Sequence, residues 1–135
     1  MTRKVYIDSC VLMLALKAAE DDVARRAIAE ISQEGIEYVF SPLVELEVLP
    51  QPMKHKAEQV TFYEEWFKVA SRVWYDETVH KIAIDQASQY SIAPMDAAHV
   101  ATAIIAGADE LVTAEKPTKP MFSSREMSVR SIRGA

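Results

Sequence analysis

The chain has 135 residues, half of them hydrophobic and 26% charged, enough for one domain to close a core without disulfides or a structural metal. Its lone cysteine, Cys10, excludes a disulfide framework and a cysteine-based metal site. No basic segment leads into an apolar run, and no run nears the roughly 18 residues of a membrane span, so a soluble, cytoplasmic protein with no membrane partner is expected.

The net charge of -5 argues against overall attraction to a polyanion such as nucleic acid. The charge is uneven, however. Residues 1–110 carry 10 basic and 18 acidic side chains, whereas residues 111–135 carry Lys116, Lys119, Arg125, Arg130 and Arg133 against Glu115 and Glu126. The basic end reads either as a solvated surface or as a local anion-facing segment.

In chain order, Val5, Tyr6 and Ile7 form a short apolar run that ends at Asp8, and residues 11–19 read as a first helix. Residues 21–34 form a second helix with acids in its first turn, Val23, Ala27, Ile28 and Ile31 at helical spacing, and Gly35 as the stop. The segment "IEYVF", residues 36–40, is a second strand. Ser41-Pro42 then opens a helix, because the Ser hydroxyl can cap and Pro at the first helical position needs no amide donor. That helix ends near Pro50-Gln51-Pro52.

A longer helix over residues 54–70 spaces Phe62, Tyr63, Trp66 and Phe67 three and four apart, which reads as core or as a surface for a partner helix or second subunit. The segment "RVWY", residues 72–75, is a third strand. Helices follow over residues 78–90 and 95–106, the latter rich in Ala, then strands at residues 111–113 and 129–132. Strands separated by helices imply parallel pairing with crossover connections. The expected fold is a single α/β domain, residues 1–135, with three α/β/α layers around a mainly parallel sheet of about four to five strands. Ligands of such sheets collect beyond the carboxyl ends of the strands, which is where Asp8 falls.

A carboxylate at a buried strand end needs a counter-charge or a cleft, so other acids are sought at element junctions. Glu45 and Glu47 lie about 200° apart on a helix, so only one can face the cleft. Leu43, Leu46 and Pro50 mark the side of Glu47 as inward. Asp96 opens the Ala-rich helix, where its bland role is capping. The small residues Ala97, Ala98, Ala101 and Ala103 let that helix approach the sheet and bring Asp96 toward Asp8. Glu115 and Asp109 flank the strand at residues 111–113. Several carboxylates converging at one edge repel each other unless they hold a hard cation, Mg²⁺ or Mn²⁺ with oxygen ligands. Such an ion supports phosphodiester hydrolysis. His99, one turn beyond Asp96, reads as a packed side chain with one hydrogen bond, and Cys10 as a small packed residue.

Three segments in order, "YIDSCVLML", "SPLVELEVLP" and "PMDAAHVATAIIAGADELVT", resemble the PIN-domain family, and within it the toxin-type (VapC-like) ribonucleases of toxin-antitoxin pairs. The resemblance covers nearly the whole chain and implies a PIN-like fold with Asp8, Glu47 and Asp96 in the acid positions, serving both catalysis and metal binding. It implies a Mg²⁺- or Mn²⁺-dependent endoribonuclease, an RNA substrate, a cognate antitoxin and a homodimer. Two positions depart from the pattern. Cys10 stands where Asn is common, which removes a polar partner from the neighbouring acid or backbone. Glu115 stands where an Asp often follows the strand and is the expected fourth metal acid, with Asp109 the alternative. Ser9 is expected to orient Asp8, and Lys116 and Lys119 to hold substrate phosphates. The competing readings are a PIN-like RNA-binding or scaffold domain without hydrolysis and a metal-dependent DNA nuclease.

Overall fold

The computed structural model describes residues 2–134. Its strands are β1 (Arg3–Ile7), β2 (Ile36–Phe40), β3 (Ser71–Arg72), β4 (Glu110–Thr113) and β5 (Val129–Ser131). They form one five-stranded sheet in the order β3-β2-β1-β4-β5, with every pair parallel. Six α-helices flank it: α1 (Ser9–Ala15), α2 (Asp22–Ile31), α3 (Pro42–Val48), α4 (Ala57–Val69), α5 (Glu77–Tyr90) and α6 (Pro94–Ala106). The α/β expectation of parallel strands with helical crossovers holds.

Successive side chains of a strand point to opposite faces. Val5, Tyr6 and Ile7 are nevertheless all buried, as are Tyr38, Val39 and Phe40 and the whole of β4. Both faces of the central sheet are therefore covered, as all-parallel sheets require. The aromatic stripe of α4 belongs to this core: Phe67 stacks on Phe40, and Trp66 packs against Tyr38 and Phe40 while donating its indole N–H to the Ile31 carbonyl. Each such buried side chain contributes about 1.5–3 kcal/mol relative to exposure.

Several boundaries differ from the sequence reading. Helix α1 starts at Ser9, directly behind Asp8, and ends at Ala15; helix α2 stops at Ile31, short of Gly35. A 3₁₀ turn at Pro52–Lys54 takes up what had read as the start of α4. The third strand is two residues long, because after Arg72 only the Val73 amide still bonds to the sheet, at the Phe40 carbonyl.

Strand order reverses direction at β1. The chain proceeds outward from β1 through β2 to β3, then crosses back to place β4 on the other side of β1. The crevice between the carboxyl ends of β1 and β4 is thus the topological switch point, where open parallel sheets bind ligands. Helix α6 delivers its first turn to that edge. Residues 97–103 are buried without a break, five of the seven being Ala or Val. Gly107 ends the helix in the left-handed region at φ 69°, a conformation glycine adopts at no steric cost.

Candidate functional site

Asp8 is the residue immediately after β1, and burial of the preceding Ile7 draws it inward until it is 4% exposed. Its carboxylate is held on both oxygens. Oδ1 accepts from the Ser9 amide at 2.8 Å, with the Ser9 hydroxyl 3.5 Å away. Oδ2 accepts from the Thr113 hydroxyl, at the end of β4, at 2.8 Å. The Cys10 thiol lies 3.6 Å from the same oxygen and 3.4 Å from the Thr113 hydroxyl, while its sulfur accepts from the Ala114 amide. Cys10 thus fills the polar position that the sequence reading regarded as lost. A thiol is a weak donor and acceptor, but one residue into α1 it reaches both the acid and the neighbouring strand end. Burial and the Asp8 charge push its pKa up to about 12, so it is a neutral thiol and no nucleophile.

Glu47 reaches the site from α3, by a different helix face from the one expected. Val44 and Val48 are the buried positions of α3, whereas Leu46 is 67% exposed. Glu47, three residues after Val44, lies beside this buried stripe with its carboxylate partly open to solvent. Glu45 points elsewhere and forms a two-pronged ion pair with Arg72, so of the two acids it is Glu47 that lies with Asp8 and His99. Ser41 does not cap α3. Its hydroxyl instead bonds the Tyr6 hydroxyl at 2.9 Å.

His99 is the centre of the arrangement. Its Nε2 is 2.7 Å from Glu47 Oε1 and 3.7 Å from Asp8 Oδ1, and its Nδ1 is 2.7 Å from the Tyr6 hydroxyl. The sequence reading of a packed histidine with one hydrogen bond understated it. The available signal was its spacing of three residues from Asp96, which puts both on one face of α6. Burial disfavours its charged form, but Glu47, Asp8 and Asp96 together outweigh that and raise its pKa. Glu47 shows the reciprocal balance: burial pushes its carboxyl up, and His99 and the Ser9 hydroxyl more than offset it, leaving its pKa lowered. Asp8, Glu47 and His99 offer ligand atoms within 4.8 Å of one another, a spacing that can hold a metal ion.

Asp96 stands in the first turn of α6, but the cap residue is Ala93, and the Asp96 carboxylate makes no hydrogen bond among the described residues. Capping does not account for it. Burial, Asp8 and Glu115 raise its pKa, with Lys119 and His99 opposing, as expected of a half-buried acid facing two others. Glu115 follows β4 and lies 3.7 Å from Lys119 Nζ. Asp109, the alternative fourth acid, is at the wrong end of the sheet. Its carboxylate accepts from the Lys4 amide at 2.8 Å, four residues before Asp8 on β1 and so about 13 Å from it at strand rise.

The chemistry of the donor set suits a hard divalent cation: carboxylate oxygens predominate, with one imidazole and no thiolate. A model of the PIN domain family matches residues 5–116. No curated protein sequence matches the chain at a significant level. Among solved structures, a toxin-antitoxin complex from Klebsiella pneumoniae superposes with TM-score 0.75 at 17% identity, covering 97% of this chain and 99% of that one. VapBC2 from Rickettsia felis bound to a DNA fragment from its promoter gives 0.72 at 12% identity, covering 95% and 98%. VapC20 of Mycobacterium tuberculosis, described as a Sarcin-Ricin loop cleaving toxin, gives 0.61 at 14%, covering 79% and 86%. With the family model spanning most of its length and the acids gathered at the sheet's switch point, the chain belongs to the PIN-domain family.

Proposed function

We propose that the protein is a Mg²⁺- or Mn²⁺-dependent endoribonuclease and the toxin of a toxin-antitoxin pair, acting as a homodimer whose subunits are each a single PIN domain. The observation that carries this reading is the cluster of Asp8, Glu47 and His99, whose ligand atoms lie within 4.8 Å of one another at one edge of a parallel sheet, with Asp96 near enough to Asp8 and Glu115 for their charges to raise its pKa. The neighbouring toxin-antitoxin complexes, and the RNA-cleaving description of one of them, support the substrate class and the antitoxin partner.

In this reading Asp8, Glu47 and Asp96 are the metal-holding and catalytic carboxylates and Glu115 is a fourth. A divalent ion bound there would lower the pKa of a coordinated water and stabilise charge on a phosphoryl oxygen. The chain's own residues supply orientation. Ser9 and Thr113 fix the two oxygens of Asp8 from opposite sides, and Tyr6 fixes the ring of His99, which in turn holds Glu47. Lys116 and Lys119 hold substrate phosphates next to the acids.

A second reading, a PIN-like RNA-binding domain without hydrolysis, is favoured by one observation: the His99 imidazole contacts both Glu47 and Asp8 and so can serve as an internal counter-cation where a metal would otherwise be needed. Calorimetric titration with Mn²⁺, run beside cleavage of defined RNA and DNA strands, separates the readings. The nuclease binds Mn²⁺, loses that binding in Asp96→Asn, cuts RNA in preference to DNA, and is inactive but folded as Asp8→Asn. Absence of Mn²⁺ binding by the intact protein, or unchanged cleavage by Asp8→Asn, refutes it.

A further inference from the structure

Beside the acids opens a cleft of about 530 Å³, walled on one side by Met13 and Leu14 of α1 and on the other by Glu115, Lys116, Lys119 and Arg133. Three cations face a single carboxylate there, in a chain whose other charges are predominantly acidic. The cleft adjoins the candidate catalytic site directly, because Cys10 on its wall lies 3.6 Å from Asp8 Oδ2, and Lys119 Nζ lies 3.7 Å from the Glu115 carboxylate.

Arg133 is anchored in this position. The Ser131 hydroxyl donates to the Glu115 carbonyl at 2.6 Å and accepts from the Arg133 amide at 3.1 Å, tying the end of β5 to the loop that carries Glu115. The guanidinium Nε donates to the Ala114 carbonyl. These bonds use the backbone and one nitrogen of the side chain, so among the described residues the two terminal nitrogens have no partner and can meet an anion in the two-pronged geometry that suits phosphate. Opposite it, Met13 is 39% exposed, an apolar and polarisable surface beside a ring of charge.

An apolar wall facing phosphate donors matches the two halves of a nucleotide. We infer that this cleft is the subsite for the nucleotide adjoining the scissile phosphate of single-stranded RNA. Its base lies against Met13 and Leu14, and its phosphate meets Arg133 with Lys116 and Lys119. Arg133 is then a positioning residue that sets the register of the strand on the acids. The inference rests on the nuclease reading for the identity of the strand, but the binding it requires can be measured without cleavage.

The test uses the full chain in EDTA, with a fluorescein-labelled 12-nucleotide RNA of mixed sequence titrated by anisotropy over a range of salt. Arg133→Gln is expected to weaken binding and to reduce the slope of log K against log salt by about 0.7, the loss of one phosphate contact on a single strand. Met13→Ser is expected to weaken binding several-fold with the slope unchanged. Lys116→Gln, in an exposed loop, gives the same slope test should Arg133→Gln unfold. Unaltered affinity and slope in the folded charge variants overturns the inference, as does the same DNA sequence binding equally well with no dependence on Arg133. The two readings fail separately. RNA cleavage that survives with no Arg133 dependence of binding removes the subsite and leaves the nuclease. Arg133-dependent binding in a protein that never cleaves leaves the subsite and removes the nuclease.

Discussion

The Thr113 hydroxyl donates to Asp8 Oδ2 across the junction of β1 and β4, at 2.8 Å and out of contact with solvent. The Thr113 hydroxyl oxygen in turn accepts from the Glu115 amide, so one side chain connects Asp8 to the loop bearing Glu115. Thr113→Val keeps the shape and removes both bonds. It is expected to cost about 1–3 kcal/mol of stability, the penalty for buried polar groups left without partners. It should also lower Mn²⁺ affinity about 10–100-fold, the usual effect of losing a partner that orients a metal ligand. Urea unfolding and calorimetric titration of the same variant measure the two effects, and full Mn²⁺ affinity would show that Asp8 needs no help from β4.

Tyr6 and His99 form the second such connection. The fully buried Tyr6 hydroxyl lies between Ser41 and His99, and burial raises its pKa far enough to keep it a neutral phenol. Tyr6→Phe deprives both partners at once and is expected to cost about 1–3 kcal/mol. Because His99 also holds Glu47, Tyr6→Phe and His99→Asn act on one network. A double-mutant cycle should therefore give a coupling of about 0.5–3 kcal/mol. Additive losses in urea unfolding would mean that the ring is held by packing alone.

What the sequence made legible follows from the range of each interaction. An apolar run ending at Asp8, Ser41-Pro42 before a helix, and an Ala-rich segment closed by Gly107 are local patterns, and each appears in the fold. The face of α3 was not legible, because in seven residues Leu43, Val44, Leu46 and Val48 leave no polar side to read. Only packing against the rest of the molecule selects Val44 and Val48. His99 escaped for a related reason: its partners Tyr6 and Glu47 lie 93 and 52 residues away. Three residues of "RVWY", Val73, Trp74 and Tyr75, lie beyond the strand because strand length depends on the neighbour, and β2 ends at Phe40.

Glu110 gives a pH dependence away from the acids. Burial alone would push its carboxyl up, but Arg130 and Arg3 more than offset this, so its pKa in the folded protein lies below its unfolded value. A depressed carboxyl contributes stability that is full above the unfolded pKa, about 4.3, and is lost as pH falls through the folded value. Glu110→Gln removes that contribution. The stability gap between wild type and variant in urea unfolding should accordingly be widest near pH 7 and shrink from about pH 5 down to pH 3. A gap independent of pH would assign the loss to packing rather than to the ion pairs with Arg130 and Arg3.

The last prediction separates the two acids that flank β4. Glu115 follows the strand at the same edge as Asp8, whereas Asp109 precedes it and binds the Lys4 amide. If edge position decides function, Glu115→Gln should lower RNA cleavage about 10-fold or more, with the deficit partly recovered at higher Mn²⁺, since a weakened ligand set needs more metal to fill. Asp109→Asn should leave kcat and the Mn²⁺ requirement unchanged and cost about 0.5–1.5 kcal/mol in unfolding, because the bond from the Lys4 amide then ends on a neutral acceptor. The measurement is cleavage rate against Mn²⁺ concentration for both variants. The reverse outcome, activity lost in Asp109→Asn and kept in Glu115→Gln, would place the catalytic edge at the amino ends of the strands and contradict the position of every other acid in the cluster.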